Sequence, residues 1–154
     1  MSAIPRLTAT RRLQWCSGHV VAGHENKCAH PHGHNYVGFF SAEARVIAHP
    51  LDDLGRVVDF SVLKARIGAW VERNWDHGFV LAANGTGAGD YAGLYEALKA
   101  GGWKVHLMPT NPTAENMAEF LLRVVCPLVL DDTDVLVTKV QLWETENCYV
   151  EAEL

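Results

Sequence analysis

The sequence predicts an α+β domain in which antiparallel strands build one sheet and helices cover one face of it. Two β-favouring runs open the chain, and two more close it. Between them lie two stretches whose apolar residues recur at helical spacing, so the order reads strand–strand, helix–helix, strand–strand. The length of 154 residues, with 49% apolar and 20% charged residues, suits a single domain over 1–154 with one core.

The elements follow in order. Residues 1–10 read as a loose lead-in, and Arg11 to Ser17 as a first strand ending at His19. Val20 to Pro31 is a polar loop. His32 to about His49 forms a long second strand, with Tyr36, Val37, Phe39, Phe40, Val46 and Ile47 as its β-favouring bulk. The turn residues from His49 to Gly55 break it, and a short extended piece, Val57 to Phe60, follows. Ser61 is placed to cap a helix whose buried stripe is Leu63, Ile67, Trp70 and Val71, running to Asn74 with Asp76-His77 just past its end.

Ala82 to Asp90 is Gly- and Ala-rich and reads as a loop. A short helix over Tyr91 to Ala100 and a short strand over Trp103 to Met108 follow. Pro112 fits the first turn of the next helix, with Asn111 or Thr113 as its cap. That helix presents Met117, Phe120, Leu121, Val124, Val125 and Leu128, and it ends at Asp131-Asp132. Val135 to Trp143 and Tyr149 to Leu154 then pair antiparallel across Glu144 to Asn147.

Composition narrows the function. A net charge of −5 argues against general nucleic-acid or anionic-membrane binding, since neither phosphate surface attracts such a chain. No apolar run has the length of a membrane span, and the first fifteen residues lack an apolar signal core. Cys16, Cys28, Cys126 and Cys148 are scattered without paired spacing, as expected of reduced thiols in a cytoplasmic protein.

The chemistry-bearing stretch is Asn26 to Tyr36, which holds Cys28, His30, His32 and His34. In an extended segment, alternation puts His32 and His34 on one face, two-thirds of a three-histidine site, and His19 can supply the third ligand. Imidazole suits zinc, copper, iron and nickel alike. Three nitrogens with one open position describe a catalytic zinc, whereas Cys28 as a fourth ligand would close a structural one. A thiol beside Lys27 and a cation favours thiolate, which could serve as a general base. Asp76-His77 would orient and relay a proton if folding brought it to a thiol. As a surface turn, it would have no such role. Glu144 at a strand end reads by itself as a solvated carboxylate.

Together these motifs resemble the 6-pyruvoyl- and 6-carboxy-tetrahydropterin synthase family. The likeness spans about residues 13–153: Trp15-Cys16-Ser17-Gly18-His19, Lys27-Cys28 with His32-Gly33-His34-Asn35-Tyr36, Val58-Asp59-Phe60, Asp76-His77, Pro112-Thr113 with Glu115-Asn116, and Glu144-Thr145. The resemblance implies the tunnelling fold, an oligomeric barrel built as a homohexamer of two trimers, with active sites at subunit interfaces. It implies Zn2+ on His19, His32 and His34, catalysis by Cys28, Asp76 and His77, and a pterin pocket shaped by Thr113 and Glu115. Glu144 would hold the amino-pyrimidine edge, since a carboxylate can accept two N–H bonds.

Three residues between Cys28 and His32 resemble the 6-carboxy branch of queuosine (7-deazaguanine) biosynthesis. There the substrate would be 7,8-dihydroneopterin triphosphate, and the products 6-carboxy-tetrahydropterin, acetaldehyde and triphosphate. The same chemistry stopping at 6-pyruvoyl-tetrahydropterin, or a non-catalytic zinc and pterin binder, are the alternatives. A glutamate-bearing aldolase branch fits less well because Cys28 is present. Trp15 and Trp75 depart from the family's usual phenylalanine and leucine, and 82–108 is longer than in its compact members.

Overall fold

In the computed structural model, which describes residues 6–83 and 91–154, six strands form one sheet in the order β4-β3-β1-β2-β5-β6. Strands β1 (Ala9–His19) and β2 (His32–Ala44) run antiparallel in unbroken register from Ala9↔Ala42 to His19↔His32. Strands β5 (Val135–Thr145) and β6 (Cys148–Glu153) extend the sheet antiparallel on the other side of β2.

The sequence reading does not anticipate β3 (Gly78–Ala82), and it makes the sheet mixed rather than wholly antiparallel. Strand β3 lies parallel to β1, and β4 (Val105–Met108) parallel to β3. Parallel neighbours need a long crossover, and the helix before each of these strands supplies it. Gly18 makes the β1–β3 contact possible, since a Cβ there would lie 2.5 Å from the Phe79 ring.

Helical segments cover one face. The first comprises α1 (Phe60–Leu63), a π-helical turn over Lys64–Gly68, and α2 (Ala69–Asn74). Its cap is Asp59 rather than Ser61: the Asp59 carboxylate accepts the Ser61 N–H at 2.8 Å and the Ser61 hydroxyl at 2.7 Å. Helix α3 (Ala92–Ala100) precedes β4. The last segment joins α4 (Ala114–Phe120), a second π-helical turn over Leu121–Val125, and α5 (Cys126–Val129). That wider turn rotates the face: Leu122 and Cys126 are buried, whereas the expected core residues Val124 and Leu128 are exposed.

The core lies between this helical layer and the sheet, and it includes Trp15, Tyr36, Phe40, Leu63, Ile67, Trp75, Met117, Leu121 and Leu142. Each large apolar side chain buried there contributes about 1.5–3 kcal/mol. Trp15 and Trp75 pack within 6.2 Å of each other, so the two tryptophans fill one part of the core together.

Three boundaries differ from expectation. Strand β1 starts at Ala9. Strand β2 stops at Ala44, because its pairing with β5 ends at Ala44↔Val135 and leaves Val46 and Ile47 exposed. Strand β5 continues through Glu144 and Thr145, leaving only Glu146-Asn147 as the hairpin connection. Most of the loop expected over 82–90 lies outside the described residues.

Candidate active site

The β1–β2 register builds the histidine cluster. His19 stands directly opposite His32, and His34 lies two residues further on the same face of β2. The three rings sit edge to face with centroids 4.5–5.0 Å apart, and one ligand atom from each lies within 4.8 Å of the others. The outer nitrogens are tied back: His19 Nδ1 lies 2.7 Å from the Pro112 carbonyl, and His32 Nδ1 lies 2.7 Å from the His30 carbonyl. With Nδ1–H donating to a carbonyl, the Nε2 lone pair points inward, and the His19 and His32 Nε2 atoms are 3.0 Å apart.

Burial favours the neutral, metal-binding form of His19 and His34. It pulls His19 down to about 4; the Pro112 hydrogen bond opposes the shift, and neighbouring His32 and His34 reinforce it. His34 is lowered by burial against the opposing pull of Glu144, and Tyr36 is raised by burial and by Glu144. The His34 Nε2 is buried with no hydrogen-bond partner among the described residues. These tied-back rings and that orphaned nitrogen fit a cation held by three imidazoles. Cys28 is not part of the cluster, which argues against a closed four-ligand site.

Beside the cluster lies a cavity of about 290 Å3, lined by His19, Cys28, Thr113, Glu115 and Glu144 together with His24 and Cys148. Local structure fixes each wall. Cys28 sits in a 3-10 turn, Lys27–Ala29, whose Cys28 carbonyl accepts the Val21 N–H at 3.0 Å. Thr113 caps α4 by accepting the Asn116 N–H at 3.2 Å. Asn111, the other expected cap, instead clamps Ala22 through both its amide groups, at 3.2 and 2.8 Å. Glu144, held inside β5, lies 3.5 Å from His34 Nε2 and is therefore no freely solvated carboxylate.

Asp76 and His77 lie elsewhere. The Asp76 carboxylate accepts the Cys16 N–H at 3.1 Å, and its Oδ1 is 2.9 Å from His77 Nδ1. The His77 N–H donates to the Cys16 carbonyl at 2.7 Å. At φ 55°, His77 is the one described non-glycine residue in the left-handed region, a conformation that costs about 1–3 kcal/mol. Within one chain, the dyad thus meets Cys16, and neither Asp76 nor His77 lines the cavity that holds Cys28.

Sequence reasoning missed His24 and Cys148 in the cavity wall, and also two braces from Tyr91 and Lys104. The Tyr91 hydroxyl donates to the Ala29 carbonyl at 2.8 Å, steadying the Cys28 turn. The Lys104 ammonium donates to the carbonyls of Glu72 and Asp76 at 2.6 and 2.5 Å, steadying the dyad turn. No residue type marks such braces.

Comparison with known proteins places these features in context. A 6-carboxy-5,6,7,8-tetrahydropterin synthase of Rickettsia typhi is 37% identical over 145 residues, covering 94% of this chain and 99% of that protein. Among solved structures, an uncharacterised protein of Wolinella succinogenes superposes with a TM-score of 0.75 at 18% identity, over 97% of this chain and 98% of the other. The 6-pyruvoyl tetrahydropterin synthase of Caenorhabditis elegans gives 0.65 at 20% identity, over 100% and 99%. The family model for 6-pyruvoyl tetrahydropterin synthase matches residues 8–154, and the chain belongs to that family.

Proposed function

We propose that the protein is a zinc-dependent carbon–carbon lyase, a 6-carboxy-tetrahydropterin synthase serving queuosine biosynthesis. It converts 7,8-dihydroneopterin triphosphate and one water to 6-carboxy-tetrahydropterin, acetaldehyde and triphosphate. The observation that carries this reading is the composition of one cavity: a histidine of the cluster, a thiol and a carboxylate face the same space. The similarity to the Rickettsia typhi 6-carboxy-tetrahydropterin synthase favours the carboxy product.

A zinc ion on His19, His32 and His34 would supply Lewis-acid polarisation of the substrate's side-chain hydroxyls. Glu144 accepts two N–H bonds from the amino-pyrimidine edge and so orients the pterin. Thr113 and Glu115 shape the wall against which the ring lies. Cys28, as thiolate, removes a proton from the side chain, and His77, oriented by Asp76, relays it.

Because the dyad of one chain lies away from its own Cys28 cavity, a second copy supplies it in an interfacial site. A homohexamer of two trimers provides such contacts. An open hollow of about 770 Å3, in which Val37, Phe39 and Trp143 stand among polar groups such as Arg12, Gln141 and Glu144, offers a mixed surface that a neighbouring copy could cover. The test is to incubate zinc-loaded protein with dihydroneopterin triphosphate and score acetaldehyde and the pterin product. Acetaldehyde with 6-carboxy-tetrahydropterin is expected. The 6-pyruvoyl product without acetaldehyde would move the protein to the other branch, and no turnover would leave a binding protein.

A further inference from the structure

Cys16 has no part in the reaction proposed above, yet it stands at the centre of the dyad's surroundings. Its thiol, a carboxylate oxygen of Asp76 and a ring nitrogen of His77 lie within 4.8 Å of one another. Two backbone-linked contacts lock the pieces together: the Cys16 N–H donates to Asp76, and the Cys16 carbonyl accepts from His77. The left-handed backbone of His77 allows its ring to reach Asp76 on this side. Thiolate, imidazole and carboxylate together form a ligand set that borderline-soft divalent metals favour. In the single chain the site is also open, with the His77 side chain 79% exposed and Cys16 only partly covered. In the interfacial assembly proposed above, an ion would reach it through the same opening as the substrate.

We propose that Cys16, Asp76 and His77 form a second, weaker site for zinc or a chemically similar divalent ion, distinct from the three-histidine site. Binding displaces the thiol proton of Cys16 and the ring proton that His77 shares with Asp76, and water completes the coordination. The site itself rests on geometry alone. Its consequence rests on the proposed function: an ion here ties up both relay residues, so excess zinc inhibits turnover without disturbing the first ion.

The test uses cobalt as the probe, because thiolate bound to cobalt gives a near-ultraviolet charge-transfer band that imidazole does not. Metal-free full-length protein is titrated with Co2+, and zinc stoichiometry is measured in parallel by equilibrium dialysis. The wild type should bind a second equivalent with the growth of that band. Cys16→Ser and Asp76→Asn should lose both while keeping the first equivalent, and Cys28→Ala should keep both. A wild type that saturates at one equivalent overturns the site, as does a band that survives Cys16→Ser or vanishes in Cys28→Ala. His32→Ala reports separately: loss of the tight equivalent with the weak one retained keeps the two sites distinct, and absence of any tight equivalent in the wild type would refute the three-histidine reading instead. If the second ion binds but excess zinc leaves turnover unchanged, the site stands and the relay assigned to Asp76-His77 falls.

Discussion

Two clusters of chemistry-bearing residues are anchored three residues apart near the end of β1, one on Cys16 and one on His19, and they are built on opposite terms. The histidine cluster is tied down and largely covered: His19 is 1% exposed, His32 and His34 are half-buried, and carbonyl groups hold the outer nitrogens of His19 and His32. The Asp76-His77 cluster sits on a strained turn, with His77 almost fully in solvent. Holding an ion demands fixed ligands and exclusion of competing protons. Relaying a proton demands access to a partner. Enclosure thus suits the tight ion site proposed for the histidines, and exposure suits the proton relay or the weaker ion site proposed for Asp76-His77.

The largest expected effect tests the enclosed cluster. His32→Ala and His34→Ala should each lose the zinc expected on the three histidines, read by elemental analysis after dialysis as a fall from about one tight equivalent per chain. Full zinc in both variants would break the comparison at its root. Next, Cys28→Ala and His77→Ala should each lower turnover by roughly 10²–10⁴-fold with zinc retained. The double variant should be hardly worse than the poorer single one, because groups acting in one step are strongly non-additive. Asp76→Asn should do less damage. Mixing inactive Cys28→Ala and His77→Ala chains should restore some activity in the mixed oligomer. No recovery in a verified mixture would mean that one chain supplies both groups.

A smaller effect is expected at the anchor. Glu144→Gln should weaken substrate binding by about 2–5 kcal/mol, seen as a raised KM with zinc content unchanged. An unaltered KM would return Glu144 to a merely structural role beside His34.

The smallest effect concerns a histidine outside both clusters. His106 packs against Trp70, Trp75 and Phe120, its Nε2 is buried without a hydrogen-bond partner among the described residues, and burial lowers its pKa from 6.5. The unfolded chain gains this proton as pH falls through 6.5, and the folded protein resists it until lower pH. The stability associated with neutral His106 is thus full above that value and declines as pH falls toward the lowered one. Urea midpoints between pH 7 and 5 should therefore fall less steeply in His106→Leu than in the wild type. Identical slopes would remove His106 from the balance.

The parts of the molecule legible in sequence are those set by local pattern. The His32-Gly33-His34 alternation, the Leu63/Ile67/Val71 stripe and the cap at Thr113 depend on neighbours a few positions away. What was missed depends on distant partners. Strand β3 is five residues of nearly continuous apolar sequence, and only its position between β1 and β4 makes it a strand. The Asp59 cap was misplaced because two capping residue types stand two positions apart. The buried face of the last helical segment shifted because nothing in its spacing announces a π-helical turn. At the site, ligand types and order were visible, whereas the separation of Asp76-His77 from Cys28 follows from which face of the sheet each element reaches.

The pairing of His19 with His32 has a consequence for how the chain finds its fold. A slip of one residue between β1 and β2 would send the β2 side chains to the opposite face, leaving His19 without His32 and His34 beside it. An ion taken up by all three imidazoles would stabilise only the correct register. Its contribution would grow with free metal, reaching about 2.7 kcal/mol at a hundred times its dissociation constant. Metal supply during synthesis would then act as a proofreader of strand alignment, rejecting misregistered hairpins before the helices close over them.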